Sequence, residues 1–197
     1  VGRHGRAWLD ALQAKVAAFG TPAFLRTGQT SHKHDWKDSC YVTDAEKIES
    51  HVFNLIEFSE CADFMGLPWN VWAIRELLPV KPLFHAFHGE MPIVREFRVF
   101  ADSGKPLCTH PYWTHNSFEK YTIHADWRDI LDKGNILDQD ESDAILDLAC
   151  RASDAVGGAW SVDVLDTDFG FFVTDMALAP NSYHWPGCPN NKLLEAT

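Results

Sequence analysis

The chain has 197 residues, of which 46% are hydrophobic and 23% charged, and its formal net charge is -11. That length is enough to bury a substantial core as one domain or as two subdomains about a cleft, and the balance of residue types excludes disorder. No apolar run approaches the ~20 residues of a membrane span, no signal-peptide pattern opens the chain, and the negative balance argues against nucleic acid, which calls for a basic face. The first residue is Val1 rather than Met, which reads as a trimmed front. Five cysteines (Cys40, Cys61, Cys108, Cys150, Cys188) are odd in number and have no Cys-x-x-Cys spacing. They point to a reducing, cytoplasmic compartment and away from a disulfide framework or a zinc ribbon.

Residues Arg6 to Phe19 have the pattern of an amphipathic helix, closed by Gly20 and followed by Pro22. Ala23 to Arg26 reads as a short strand running into a polar loop, Thr27 to Lys37, with a second strand at Cys40-Tyr41-Val42. Thr43 with Glu46 three residues on is a capping box, predicting a helix to about Met65 that stops at Gly66. Val71 to Leu78, bounded by Pro68 and Pro79, predicts a strand that breaks into a loop. Ile93 to Phe100 carries the clearest strand pattern. Arg95 falls on the face of Ile93, Phe97 and Val99, with Glu96 and Arg98 on the other. Asp102-Ser103-Gly104 turns it into a partner strand through Tyr112-Trp113, and Glu141 to Val156 is helical, with Ile145, Ala149, Ala152 and Val156 in one stripe. Trp160 to Leu165 and Phe171 to Ala177 flank Asp168-Phe169-Gly170 as a hairpin. Helices among mostly antiparallel strands give an α+β fold.

Charge is unevenly spread. From Asp126 to Asp175 there are twelve aspartates and one glutamate against Arg128, Lys133 and Arg151, whereas Arg26 to Lys37 holds one arginine, two lysines and two histidines against Asp35. Such a division suits a polyanion with its divalent counter-ion, although a solvated acidic surface explains most of the aspartates equally well. In a hairpin centred on Phe169, Asp163 and Asp175 stand directly opposite. Facing side chains have Cβ atoms about 4.5–5.5 Å apart. Two carboxylates so placed repel unless a cation lies between them or one is protonated, and magnesium suits such a pair. If the strands are offset, one of them simply faces solvent.

The Thr27 to Lys37 loop, with Gly28, small hydroxyls, backbone amides and Lys33 or Lys37, is suited to phosphate, while a polar surface loop is the plainer reading. Arg95, alternating with apolar residues, is expected to point inward to an anion. The histidine pairs His32/His34 and His85/His88, and His184 near the end, lack the His-Glu-x-x-His context of a metal-binding helix.

Taken in order, these motifs resemble an ATP-grasp domain, in particular the clade named for two arginines and a lysine, many of whose members come from phages. Phe24-Leu25-Arg26 and the following loop resemble that fold's phosphate loop, and Ala73-Ile74-Arg75-Glu76-Leu77-Leu78-Pro79 its adenine hinge. Arg95 and Arg98 stand where the clade has phosphate-facing arginines. Asp163 and Asp175 stand where it has an acid followed, about a dozen residues on, by an acid-x-Asn unit.

The resemblance implies one domain over residues 1–197, built as two small α+β subdomains with mostly antiparallel sheets around a nucleotide cleft. Residues 20–78 would carry the phosphate loop and hinge, and residues 79–188 the phosphate- and metal-binding part. It implies ATP and Mg2+ as cofactors. Nucleotide would be bound by Arg26, Lys33, Lys37, Arg75, Glu76, Leu77 and Leu78, metal by Asp163, Asp175 and Asn181, with Arg95 and Arg98 catalytic. Asn181 is named because Ala177 occupies the usual asparagine position. The implied activity is a ligase that activates a small-molecule or peptide carboxylate as an acyl phosphate for attack by an amine or other nucleophile. The location is cytoplasmic, in a host cell if phage-encoded. Two alternatives remain: an ATP-binding assembly factor with a protein partner and little turnover, and a histidine-metal oxygenase or hydrolase.

Overall fold

Apolar residues at helical spacing organise the front of the chain. The computed structural model describes residues 3–62, 66–118, 124–188 and 190. It divides the chain into two compact units, Val1–Leu78 with Ala86–Met91, and Pro79–His85 with Pro92–Thr197. In the first unit, α1 (Arg3–Phe19) turns Leu9, Leu12 and Val16 into the core. Gly20 ends it at φ 102°, a conformation open to glycine, and donates its N–H to the Val16 carbonyl.

A three-stranded antiparallel sheet follows, ordered β2 (Tyr41–Val42), β1 (Ala23–Thr27), β3 (Trp72–Glu76). Leu25 and Val42 meet Ile48, Val52 and Leu55 of α2 (Ile48–Cys61) in the same core. This helix is capped differently from the expectation. Asp44, not Thr43, accepts the Glu46 N–H, because an aspartate one residue closer offers a carboxylate to the 3₁₀ turn Ala45–Lys47 that precedes the helix. The expected end near Met65 lies outside the described residues. A short hairpin, β4 (Phe84–Ala86) and β5 (Met91–Ile93), is joined by α3 (Phe87–Glu90), a single turn in which His88 and Gly89 have positive φ.

The second unit is built on a four-stranded antiparallel sheet, ordered β7 (Lys105–Pro111), β6 (Glu96–Asp102), β8 (Ala159–Thr167), β9 (Gly170–Leu178). Two helices lie in the connection from β7 to β8, α4 (Trp127–Gly134) and α5 (Gln139–Val156). An Asp138–Glu141 capping box opens α5. Ile145 and Ala149 of α5 pack on Phe97, Val99, Val162 and Val164, which makes one face of the sheet apolar. Burying each large side chain there contributes about 1.5–3 kcal/mol.

The mixed, mostly antiparallel α+β architecture read from the sequence is the one observed. The expected Ile93–Phe100 strand is not continuous, however. It divides at Val94-Arg95 into β5 and β6, and β7 ends at Pro111, short of Tyr112-Trp113.

Candidate metal and phosphate site

Because side chains alternate across a strand, the face of the sheet opposite α5 collects the residues that the apolar face rejects. There the register sets four polar residues in one row, one per strand: His110 beside Arg98, Arg98 beside Asp163, and Asp163 beside Asp175. Arg98 grips Asp163 as a fork, Nε to Oδ1 at 2.8 Å and Nη2 to Oδ2 at 2.9 Å. Its guanidinium lies 4.8 Å from the centre of the Tyr112 ring, and Nη1 donates to the Tyr183 carbonyl at 3.4 Å. Burial disfavours the charge on Arg98, but hydrogen bonding and attraction from Asp163 outweigh that and raise its pKa. Asp163 is only 6% exposed, whereas Asp175 is half-buried and accepts its neighbour Met176's N–H at 3.0 Å. Two facing carboxylates call for a cation, and Arg98 is one that the chain itself supplies.

The Asp163–Asp175 pairing depends on a bulge. From the turn outward the partners are Thr167 with Gly170, Asp166 with Phe171, Leu165 with Phe172 and Val164 with Val173; the ladder then passes over Thr174 and pairs Asp163 with Asp175. Without the bulge Asp163 would face Thr174. The Thr174 hydroxyl instead donates to the Asp163 carbonyl at 3.3 Å.

Arg95 corrects an expectation. It was expected to point inward to an anion, and it does, but the anions belong to the chain. Nε donates to the Gly134 carbonyl, Nη1 to Glu141 and Asp166, and Nη2 to Glu141 and the Ile136 carbonyl, at 2.7–3.0 Å. A guanidinium has five N–H donors, and all five are used. Hydrogen bonding and attraction from Glu141 raise the pKa of Arg95, and the same contact holds the Glu141 carboxyl below its ordinary range. Arg95 is a clamp between β6 and the start of α5, with no donor left for a phosphate.

The polar loop of the first unit is corrected as well. Four of its amides are committed within the unit rather than open to a phosphate: Gly28 donates to Val71, Gln29 and Thr30 donate to the Thr27 hydroxyl, and His32 donates to the Thr30 hydroxyl. Arg26 is buried on β1 and donates to the Thr27 carbonyl, Lys33 lies in the 3₁₀ turn Lys33–Asp35, and Lys37 pairs with Glu90 at 3.0 Å. Arg75 and Glu76 are exposed at the end of β3, opposite Phe24 and Ala23, and Leu77 and Leu78 follow the strand. His32 stacks on Phe58 and His34 on Phe87, each with centroids 4.0 Å apart, and burial lowers both pKa values. Asn181 closes the 3₁₀ turn Ala179–Asn181 after β9 and is exposed, while Ala177, opposite Ser161, brings no ligand oxygen.

One group of residues escaped the sequence reading. Cys108, His110, His184 and Cys188 converge at the β7 edge of the polar face, their ligand atoms all within 4.8 Å of one another. Cys-x-x-Cys spacing does not find them, because two of the five cysteines, Cys108 and Cys188, are each spaced with a histidine instead: a Cys-x-His step on a strand, which puts both residues on one face, and a His-x-x-x-Cys step in the last segment.

No protein-family profile and no curated protein matches the chain. Among solved structures, it is similar to the D-alanine–D-alanine ligase of Bacillus anthracis complexed with ATP, at 12% identity and TM-score 0.44, over 80% of this chain and 39% of that one. A second structure of that ligase gives 13% identity and TM-score 0.44, over 83% and 45%. The chain spans less than half the length of those ligase chains. Among the described residues no helix is long and apolar enough to cross a membrane.

Proposed function

We propose that the chain binds ATP with magnesium and acts as a ligase of ATP-grasp type, activating a carboxylate as an acyl phosphate. The observation that carries this reading is the placement of Asp163 opposite Asp175, with Arg98 beside them on the same face. The donor set is all oxygen, which suits magnesium. A carboxylate has about four lone-pair directions, and Arg98 takes two of those on Asp163, leaving the others for a metal. Asp163 and Asp175 would hold the ion, with Asn181 as a further oxygen, and Arg98 would stand by for phosphate. Bound magnesium neutralises phosphate charge. Phosphoryl transfer needs that neutralisation and positioning more than covalent help. Arg26, Lys33, Lys37, Arg75, Glu76, Leu77 and Leu78 keep the nucleotide role that the resemblance implies, with the lysines acting as charges rather than as part of an amide cradle.

Ala177, without a ligand oxygen, favours a second reading in which ATP is bound with little turnover, as in an assembly factor with a protein partner.

Thermal melting with ATP, with magnesium and with both tests the first step. Ligand at about 100 times its dissociation constant stabilises by about 2.7 kcal/mol, and the combination should exceed either alone. Asp175→Asn should abolish the magnesium-dependent part and leave the apoprotein within about 0.5 kcal/mol, since its carboxylate is half-exposed. No shift with any nucleotide defeats the proposal. ADP release stimulated by a carboxylate together with an amine separates the ligase from the assembly factor.

A further inference from the structure

The Cys108–Cys188 cluster is built from two distant pieces of chain. Cys108 and His110 are alternate residues of β7 and share a face. His184 and Cys188 come from the segment after the Ala179–Asn181 turn, where the Cys188 N–H donates to the Trp185 carbonyl and curls the chain back. That segment is fastened to the sheet around the cluster by three contacts. Ser182 and Ser161 share a hydroxyl hydrogen bond, Arg98 donates to Tyr183, and the Asn190 side chain donates to the Leu107 carbonyl.

The chemistry of the four residues is specific. Two sulfurs and two imidazoles are the ligand set of a structural zinc site. With Zn–S near 2.3 Å and Zn–N near 2.0 Å, tetrahedral geometry puts ligand atoms about 3.3–3.8 Å apart. Here all of them lie within 4.8 Å, and the Cys108 sulfur is 3.0 Å from Nε2 of His184. His110 Nε2 is buried without a hydrogen-bond partner, which is uncommon for buried polar atoms and leaves that nitrogen able to give a lone pair, while His184 turns its Nε2 toward the Cys108 sulfur. The imidazoles are also locked in place: His184 lies edge-on to Phe100 at 4.4 Å, and His110 stacks on Trp185 at 5.6 Å.

We propose that Cys108, His110, His184 and Cys188 bind one zinc ion in a closed tetrahedral site that clasps the segment after β9 onto edge strand β7. With four protein ligands the ion has no open position for a substrate, so its role is structural rather than catalytic. Each Zn–S bond forms as a thiol gives its proton to solvent, with no change of oxidation state. His110 neighbours Arg98 across the β6–β7 pair, and Tyr183, adjacent to His184, accepts from Arg98. The clasp therefore steadies one end of the Arg98–Asp163 row. The proposal stands independently of any nucleotide, because the ligands and their chemistry differ from those of the carboxylate pair.

The test uses the full chain purified under reducing conditions. Elemental analysis should find one zinc per chain, and cobalt replacing it should show the intense visible bands of a tetrahedral ion with thiolate charge transfer in the near ultraviolet. Cys108→Ser and Cys188→Ser should each reduce that charge-transfer intensity, while Cys150→Ser should leave it unchanged. Outer-shell changes at zinc sites cost about 10–100-fold in affinity, so loss of a ligand should cost at least about 100-fold. If the serine variants do not fold, the wild-type cobalt spectrum decides alone. Cobalt bound without thiolate charge transfer, or a Cys108–Cys188 disulfide in the reduced preparation, would overturn the assignment.

Discussion

Arg95 and Arg98 stand three residues apart, one just before β6 and the other within it, and the chain uses them in opposite ways. Arg95 spends all five donors on its own chain, on Glu141, Asp166 and the Gly134 and Ile136 carbonyls, and so ties the start of β6 to α5. Arg98 sits on the other face, forked to one buried aspartate, in a row that also holds His110 and Asp175. A saturated guanidinium belongs to the scaffold. One that shares its carboxylate with a second acid across the sheet belongs to a surface where charge can be rearranged. Sequence position alone does not separate the two, because what differs is which acids the fold brings within reach.

The sharpest way to break this comparison is at Asp163. Removing its charge leaves Arg98 without its fork at a site where the arginine side chain is 17% exposed. Losing one partner of a buried pair costs about 3–5 kcal/mol, and Asp163→Asn should fall near the lower figure because the pair is not fully enclosed. Mere repulsion between Asp163 and Asp175 predicts the opposite sign, so stabilisation of the apoprotein in a urea melt would show Arg98 to be a bystander. Next in size is Arg95→Ala, which strands Glu141 and Asp166 and should cost about 2–3 kcal/mol while leaving the magnesium–ATP shift intact. A lost nucleotide response with unchanged stability would instead make Arg95 a ligand-binding residue.

The smallest effect concerns pH. Glu141 has a folded pKa below its unfolded value, so its contribution is present above the unfolded pKa of about 4.3 and is lost as pH falls through the folded one. Glu141→Gln should therefore lose stability at neutral pH and have a shallower decline below about pH 4. Parallel curves would remove the Arg95–Glu141 pair from the acid limb.

Much of the architecture was legible in the sequence because it rests on local patterns. The Leu9-Leu12-Val16 stripe, the Gly20 stop and the hairpin around Asp168-Phe169-Gly170 each follow from spacing or turn chemistry. Less legible was whatever depends on partners distant in the chain. Arg95 looked like a residue waiting for phosphate because Glu141, 46 positions on, is invisible to strand alternation. The Thr27–Lys37 loop looked like a cradle because its amides show no sign, in one dimension, of closing on Thr27 and Val71. The four residues around Cys108 and His184 come from two segments, those two being 76 positions apart, and no local spacing joins the segments.

The bulge at Thr174 has a further consequence, for the phase of the strand. In an uninterrupted strand Phe171, Val173, Asp175 and Ala177 would all project to one side, since side chains repeat every second residue. Here Phe171 and Met176 both pack on the apolar core, an odd and an even position, because the surplus residue inverts the alternation between them. Asp175 therefore sits with Asp163 on the polar side, although simple counting from Phe171 assigns it to the interior. Thr174 is in this sense a spare residue. Deleting it would leave every other residue of β9 on its present side and Asp175 still opposite Asp163. Deleting Val173 would keep the same partners on both sides of the bulge, with Thr174 taking its place opposite Val164.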